Sequence, residues 1–157
     1  MVRSVLLVGL LGFLVACTPQ LSRQDRAVLE QVMNERVAGW ERAMSNRDQN
    51  EIASFYHQVQ GVSLAWPNGR RTQGWDDATL AIGDFFRGVA RLNFSLQDTN
   101  VEILSAGACV ATFRFSADVV LSSTDRDIYT GQGTIVWTTD EAGEWRIHTA
   151  QLSRSPS

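Results

Sequence analysis

The chain holds few side chains able to do covalent or acid–base chemistry. Of its 157 residues two are His and two are Cys, and all 14 basic residues are Arg. Without Lys there is no Schiff-base amine and no phosphate-loop lysine. Two Cys and two His fall short of a zinc ribbon or finger, so no metal or other cofactor is expected. A net charge of −3 lacks the basic stripe of a nucleic-acid binder. The acid–base candidates that remain are the imidazoles and scattered carboxylates. His57 falls where a second helix ends, either as a cation at a helix C-terminus or as an acid/base at a pocket mouth. His148 reads as a solvent or interface residue. Asp118 shares a strand face with Arg114 and reads as half of a solvated charge pair. Asp98 and Asp127 belong to a bend and a loop rim, and Asp84 lies off the apolar stripe of its helix.

The elements that position these groups follow from hydrophobic periodicity. Leu29, Met33, Val37, Trp40 and Met44 recur at spacings of three and four, which predicts a long amphipathic helix over about 24–45. Gly39 allows close packing beside Trp40. Asp48 and Glu51 form a capping-box-like start for a short second helix bearing Ile52, Phe55 and Tyr56. GVSLAW reads as a strand, and Pro67-Asn68-Gly69-Arg70 as the turn of a small hairpin. Asp76 and Asp77 mark the start of a third helix with a stripe of Ala78, Ile82, Phe85, Phe86 and Val89. From residue 91 the period becomes two. Leu92, Phe94 and Leu96 alternate on one parity, Val101 and Ile103 on the other, so a bulge or bend is expected within 97–100. Further strands are predicted over 108–121, 128–139 and 144–153. Helices first and antiparallel strands after make an α+β layout: three helices laid across a strongly bent mixed or antiparallel sheet, forming a cone.

The N-terminus is of another kind. Arg3 precedes an apolar run from Val5 to Val15, the length of a signal-peptide core and too short to span a bilayer comfortably. The run closes on Leu14-Val15-Ala16-Cys17, which resembles a bacterial lipobox. That resemblance implies a signal peptide over 1–16, acylation of Cys17 and a tether over 17–23. The folded domain then covers 24–153, with a short tail over 154–157. At about 0.8 kcal/mol per buried CH2, two acyl chains hold a protein to a membrane stably where one does not. The expected location is the cell envelope, on the periplasmic side of the outer membrane in a Gram-negative host, because Thr18 is not Asp. With Cys17 lipidated, Cys109 has no disulfide partner and reads as a small buried hydrophobe.

Several features together resemble the SnoaL-like group of the nuclear transport factor 2-like superfamily. They are the long helix carrying Trp40, the short helix ending Phe55-Tyr56, the Pro67–Arg70 hairpin with Gly74 leading into helix three, and the C-terminal run TIVWTTDEAGEWRIHTAQLS. The resemblance covers about 24–153 and implies the cone fold, with relatives that isomerise, cyclise or dehydrate small molecules beside non-enzymatic ones. It implies no active site here. Where relatives carry a pair of carboxylates, this chain has Tyr56-His57-Gln58-Val59-Gln60. Where isomerase relatives place an Asp before Pro, it has Trp66. Thr149 and Gln151 replace two C-terminal histidines, and they offer hydrogen bonds but no titratable base.

Relatives also pair through the outer sheet face, so a homodimer through Thr112, Arg114, Thr134, Val136 and Arg146 is one expectation. Trp40, Tyr56, Phe86, Phe94, Phe113, Phe115 and Trp137 are either core or the lining of an apolar cavity. In the second case Tyr56, Thr149 and Gln151 supply its polar groups. Three functions compete: a membrane-tethered, non-catalytic binder of a small apolar ligand, an envelope assembly module that uses the fold as a dimerising scaffold, and a small-molecule isomerase, cyclase or dehydratase. A closed, aromatic-lined cavity without carboxylate or imidazole favours the first, an interior filled by side chains the second, and a His or Asp buried in the cavity the third.

Overall fold

The computed structural model describes residues 21–122 and 125–156, so the export segment and Cys17 lie outside the described residues. The elements are α1 (Arg23–Asn46), α2 (Gln49–Ser54), β1 (Ser63–Ala65), β2 (Arg71–Gln73), α3 (Trp75–Arg87), β3 (Val89–Ser105), β4 (Ala108–Leu121), β5 (Arg126–Thr139) and β6 (Trp145–Arg154). The architecture is α+β, with three N-terminal helices on a six-stranded mixed sheet of order β2-β1-β6-β5-β4-β3. All pairs are antiparallel except β1 with β6.

Local chemistry sets the boundaries. The Ser22 side chain accepts from Asp25 N and opens α1; Arg47, in the left-handed region at φ 57°, closes it. The Asp48 side chain accepts from Glu51 N and opens α2. Gly74 at φ 87° turns the chain into α3, a conformation that costs glycine little. α1 lies antiparallel along β3. The Arg26 guanidinium donates to Ile103 O at one end, and Ser45 Oγ donates to Phe94 O near the other.

Of four register slips among the described strands, two lie away from the ends of β3 and bend the sheet. In β3 the pairing with β4 shifts between Gln97 and Asn100, and Asp98 sits at φ 51° with its carboxylate 2.5 Å from Arg114. This is the bulge that the parity flip predicts. The second slip lies between Val136 and Trp137, opposite Thr149 and Ile147, and leaves His148 as an extra residue in β6. Two β5 glycines make room for aromatic rings on the concave face of the curved sheet. Gly133 pairs with Phe113 and Gly131 with Phe115, and a Cβ at either position would meet the partner ring at 2.2 and 2.4 Å. The aromatic rings therefore lie directly over glycine backbone.

Candidate functional site

Inside the cone the seven predicted aromatics come together. Trp40, Tyr56, Phe86, Phe94, Phe113, Phe115 and Trp137 are all buried and belong to one core. Trp40 meets Phe94 edge-on at 5.7 Å between centroids and donates from Nε1 to Tyr56 Oη at 3.2 Å. Phe94 stacks on Phe115 at 5.4 Å. The rings fill the space they line. The void beside Trp40, Ile52, Tyr56 and Leu64 measures about 10 Å³, and a second, beside Phe94 and Leu92, about 20 Å³. The first is no more than a single-water space. Among the described residues no carboxylate and no imidazole is buried. Burial drives the Tyr56 phenol far above its ordinary range and pushes the Cys109 thiol up to about 11. Neither is an active base or nucleophile at neutral pH.

Thr149 and Gln151 do not join the aromatics. Thr149 Oγ1 lies 3.2 Å from Ser63 Oγ, and Gln151 is exposed. The bulge at His148 is the reason. Beyond it the inward positions are Ala150 and Leu152, so strict alternation from Trp145 and Ile147 puts the polar pair on the wrong face. Two smaller expectations change as well. Asp118 bonds Arg126 on the neighbouring strand rather than Arg114, because four strand residues span about 13 Å. The Arg126 hydrogen bond holds the Asp118 carboxyl below its usual range. His57 lies past the end of α2 and is tied to the sheet, its backbone N–H donating to Ile147 O.

Two recesses open to solvent. At the cone mouth a recess of about 240 Å³ is lined by Trp66, Phe85, Val119, Leu121, Tyr129 and Arg154, among others. Trp66 lies over Phe85 at 5.5 Å between centroids and also borders both inner voids, so this aromatic pair plugs the passage inward. The Trp66 Nε1 donor is buried and has no hydrogen-bond partner among the described residues. Arg154 lies over the Tyr129 ring and pairs with Asp127 at the rim. No sequence pattern singles out this group. Its members become neighbours only through the β1–β6 pairing and the sheet curl.

The other recess is a shallow groove of about 860 Å³ outside the cone, between the α2–β1 segment and the β5–β6 turn. Arg146 anchors its floor, bonding Asp140 Oδ2 at 3.2 Å and Ser54 O. The Asp140 carboxyl is held below its usual range by the Glu144 backbone N–H first, then by Arg146 and the Ala142 N–H. Arg36 spans Phe55 and Trp137 at 5.6 and 5.8 Å and donates to Trp145 O. Burial, then the nearby Arg146 charge, lowers its pKa. Among the described residues no three His, Cys, Asp or Glu side chains cluster to hold a metal.

No protein-family model matches the sequence, and no curated protein sequence does either. Solved structures do match. A nuclear transport factor 2-like superfamily protein from Salmonella enterica serovar Typhimurium superposes with a TM-score of 0.77 at 17% identity, over 83% of this chain and 94% of its own. A hexachlorocyclohexane dehydrochlorinase from Novosphingobium barchaimii gives 0.72 at 11%, over 86% and 92%. A protein with a cystatin-like fold from Caulobacter vibrioides gives 0.69 at 13%, over 80% and 89%. The chain has the nuclear transport factor 2-like cone fold that its sequence resembles.

Proposed function

We propose that this chain is a non-catalytic envelope lipoprotein, tethered through Cys17, whose cone-shaped domain serves as an assembly module. The observation that carries this reading is the filled interior. Voids of about 10 and 20 Å³ leave no room for a substrate, where small-molecule sites occupy roughly 300–1,000 Å³. The dehydrochlorinase shares the fold, but fold alone does not carry chemistry from one chain to another. Here no buried carboxylate or imidazole is available to move a proton among the described residues. The outer sheet face, with Thr112, Arg114, Thr134 and Val136, is the proposed homodimer surface, and the partners are the membrane and envelope proteins rather than nucleic acid.

A second reading has its own support. The mouth recess, about 240 Å³, is mostly apolar and includes Arg154 in its lining. A small apolar ligand would suit that lining. Native mass spectrometry of the full chain, extracted in detergent from its own host, separates the two. The assembly reading expects a defined oligomer without a bound small molecule, and a stoichiometric small ligand overturns it in favour of the second. Cys17→Ser is expected to release the chain from the membrane fraction, and unchanged membrane association removes the lipid anchor from the proposal.

A further inference from the structure

The two histidines of the chain, far apart in sequence, meet beside the outer groove, whose lining includes His57. The His57 and His148 rings stand 6.0 Å apart between centroids with planes at 77°. Neither is in the core; both are half-buried, within reach of water. His57 Nε2 lies 2.8 Å from Thr138 Oγ1, which leaves Nδ1 as its open nitrogen. The His148 imidazole makes no hydrogen bond among the described residues and lies against Gly61, where a Cβ would stand 3.2 Å from its Cε1.

The backbone is built around this meeting. The register slip at Val136/Trp137 places His148 on the bulge, and bulges commonly re-aim a side chain. The isolated bridge between Tyr56 and Ile147 brings His57 to the same strand. The separation suits a shared ion. Imidazole nitrogen binds zinc at about 2.0–2.1 Å, which puts each ring centre about 3.2 Å from the metal. Two such rings then stand about 5.2–6.5 Å apart for metal angles from tetrahedral to linear. The Thr138 hydroxyl occupies the place of the outer partner that fixes tautomer and ring orientation in metal-bound histidines. Of the other charged groups lining the groove, Arg146 and Asp140 are paired with one another at 3.2 Å, and Glu141 is exposed on the turn beside them.

We propose that His57 and His148 form a two-histidine site for a late first-row divalent metal ion. Water or an exogenous donor completes the coordination, because no third ligating side chain joins the pair among the described residues. Imidazole donors and the order of divalent affinities place copper(II) above zinc(II).

The test is a calorimetric titration of the full chain in detergent with zinc(II) and with copper(II) in a non-coordinating buffer at neutral pH. One ion per chain is expected, copper(II) the tighter, with nitrogen couplings from two imidazoles in the copper spectrum. His57→Asn and His148→Gln are each expected to raise Kd at least tenfold, about 1.4 kcal/mol. Their thermal melts report folding, and two independent substitutions guard against one that misfolds. Absence of saturable binding, or binding by the folded double variant as tight as by the parent, overturns the proposal.

Discussion

On its concave face the sheet presents Phe113, Phe115, Ile135 and Trp137 to the helices, all buried. The same two strands present Thr112, Arg114, Gln132 and Thr134 outward, all exposed. The inner face is committed to packing, and its rings interlock with the helices and with each other. The outer face carries the polar groups and the ion pairs, and both imidazoles lie outside the core, His57 in the groove beyond its edge. In a cone fold the inner face is the natural place to look for chemistry. Here the groups with chemical capacity lie outside it, at the mouth and in the groove.

The contrast can be broken at several points. Trp40→Ala should produce the largest loss, about 3–5 kcal/mol in urea unfolding, because it empties the centre of the core and strips Tyr56 Oη of its donor. A loss below 1 kcal/mol would mean the interior is looser than its packing indicates. Gly133→Ala comes next, at about 1–3 kcal/mol, since the new Cβ would meet the Phe113 ring. Gly143→Ala, in the exposed β5–β6 turn, is its counterpart outside the core, where nothing lies within 4 Å and only the positive φ of 81° opposes the change. A larger loss at Gly143 than at Gly133 would reverse the comparison.

Smaller effects separate the faces by pH. The Cys109 thiol is pushed up from 9.0 to about 11 by burial. Its contribution to stability is therefore complete below pH 9 and is lost as pH rises towards 11. Thermal melts should fall through that window, and Cys109→Ala should flatten part of the slope. Asp118 on the outer face has the opposite sign, because its pKa is depressed. Its contribution is present above the ordinary carboxylate range near 4 and disappears as pH falls below it. Arg126→Gln should remove that acid dependence while barely moving the melt at neutral pH, the smallest effect of the series.

Much of the fold was legible because it rests on local periodicity. The α1 stripe, the Asp48 cap and the β3 parity flip each leave a mark on consecutive residues. The bulge at His148 left none. It arises from the fit of β6 against β5, where Val136 faces Thr149 but Trp137 faces Ile147. One unseen residue turned Thr149 and Gln151 from interior groups into outer ones. The glycines Gly131 and Gly133 were equally silent until Phe115 and Phe113 were known to lie across from them. The aromatic set was legible as a group, whereas its volume was not. Periodicity says which side chains face inward, and only packing says whether they leave space between them.

The length of α1 sets a distance that matters beyond its packing. Its 24 residues extend about 36 Å, with the first turn beside Ile103 and the last beside Val89 and Phe94. The narrow end of the cone, with the β3–β4 and β5–β6 turns, lies at the start of that span, and the recess at Trp66 and Tyr129 lies at its finish. The two ends are therefore a helix length apart, too far for one small molecule to touch both, so the recess at the mouth and the turns at the other end can be occupied independently.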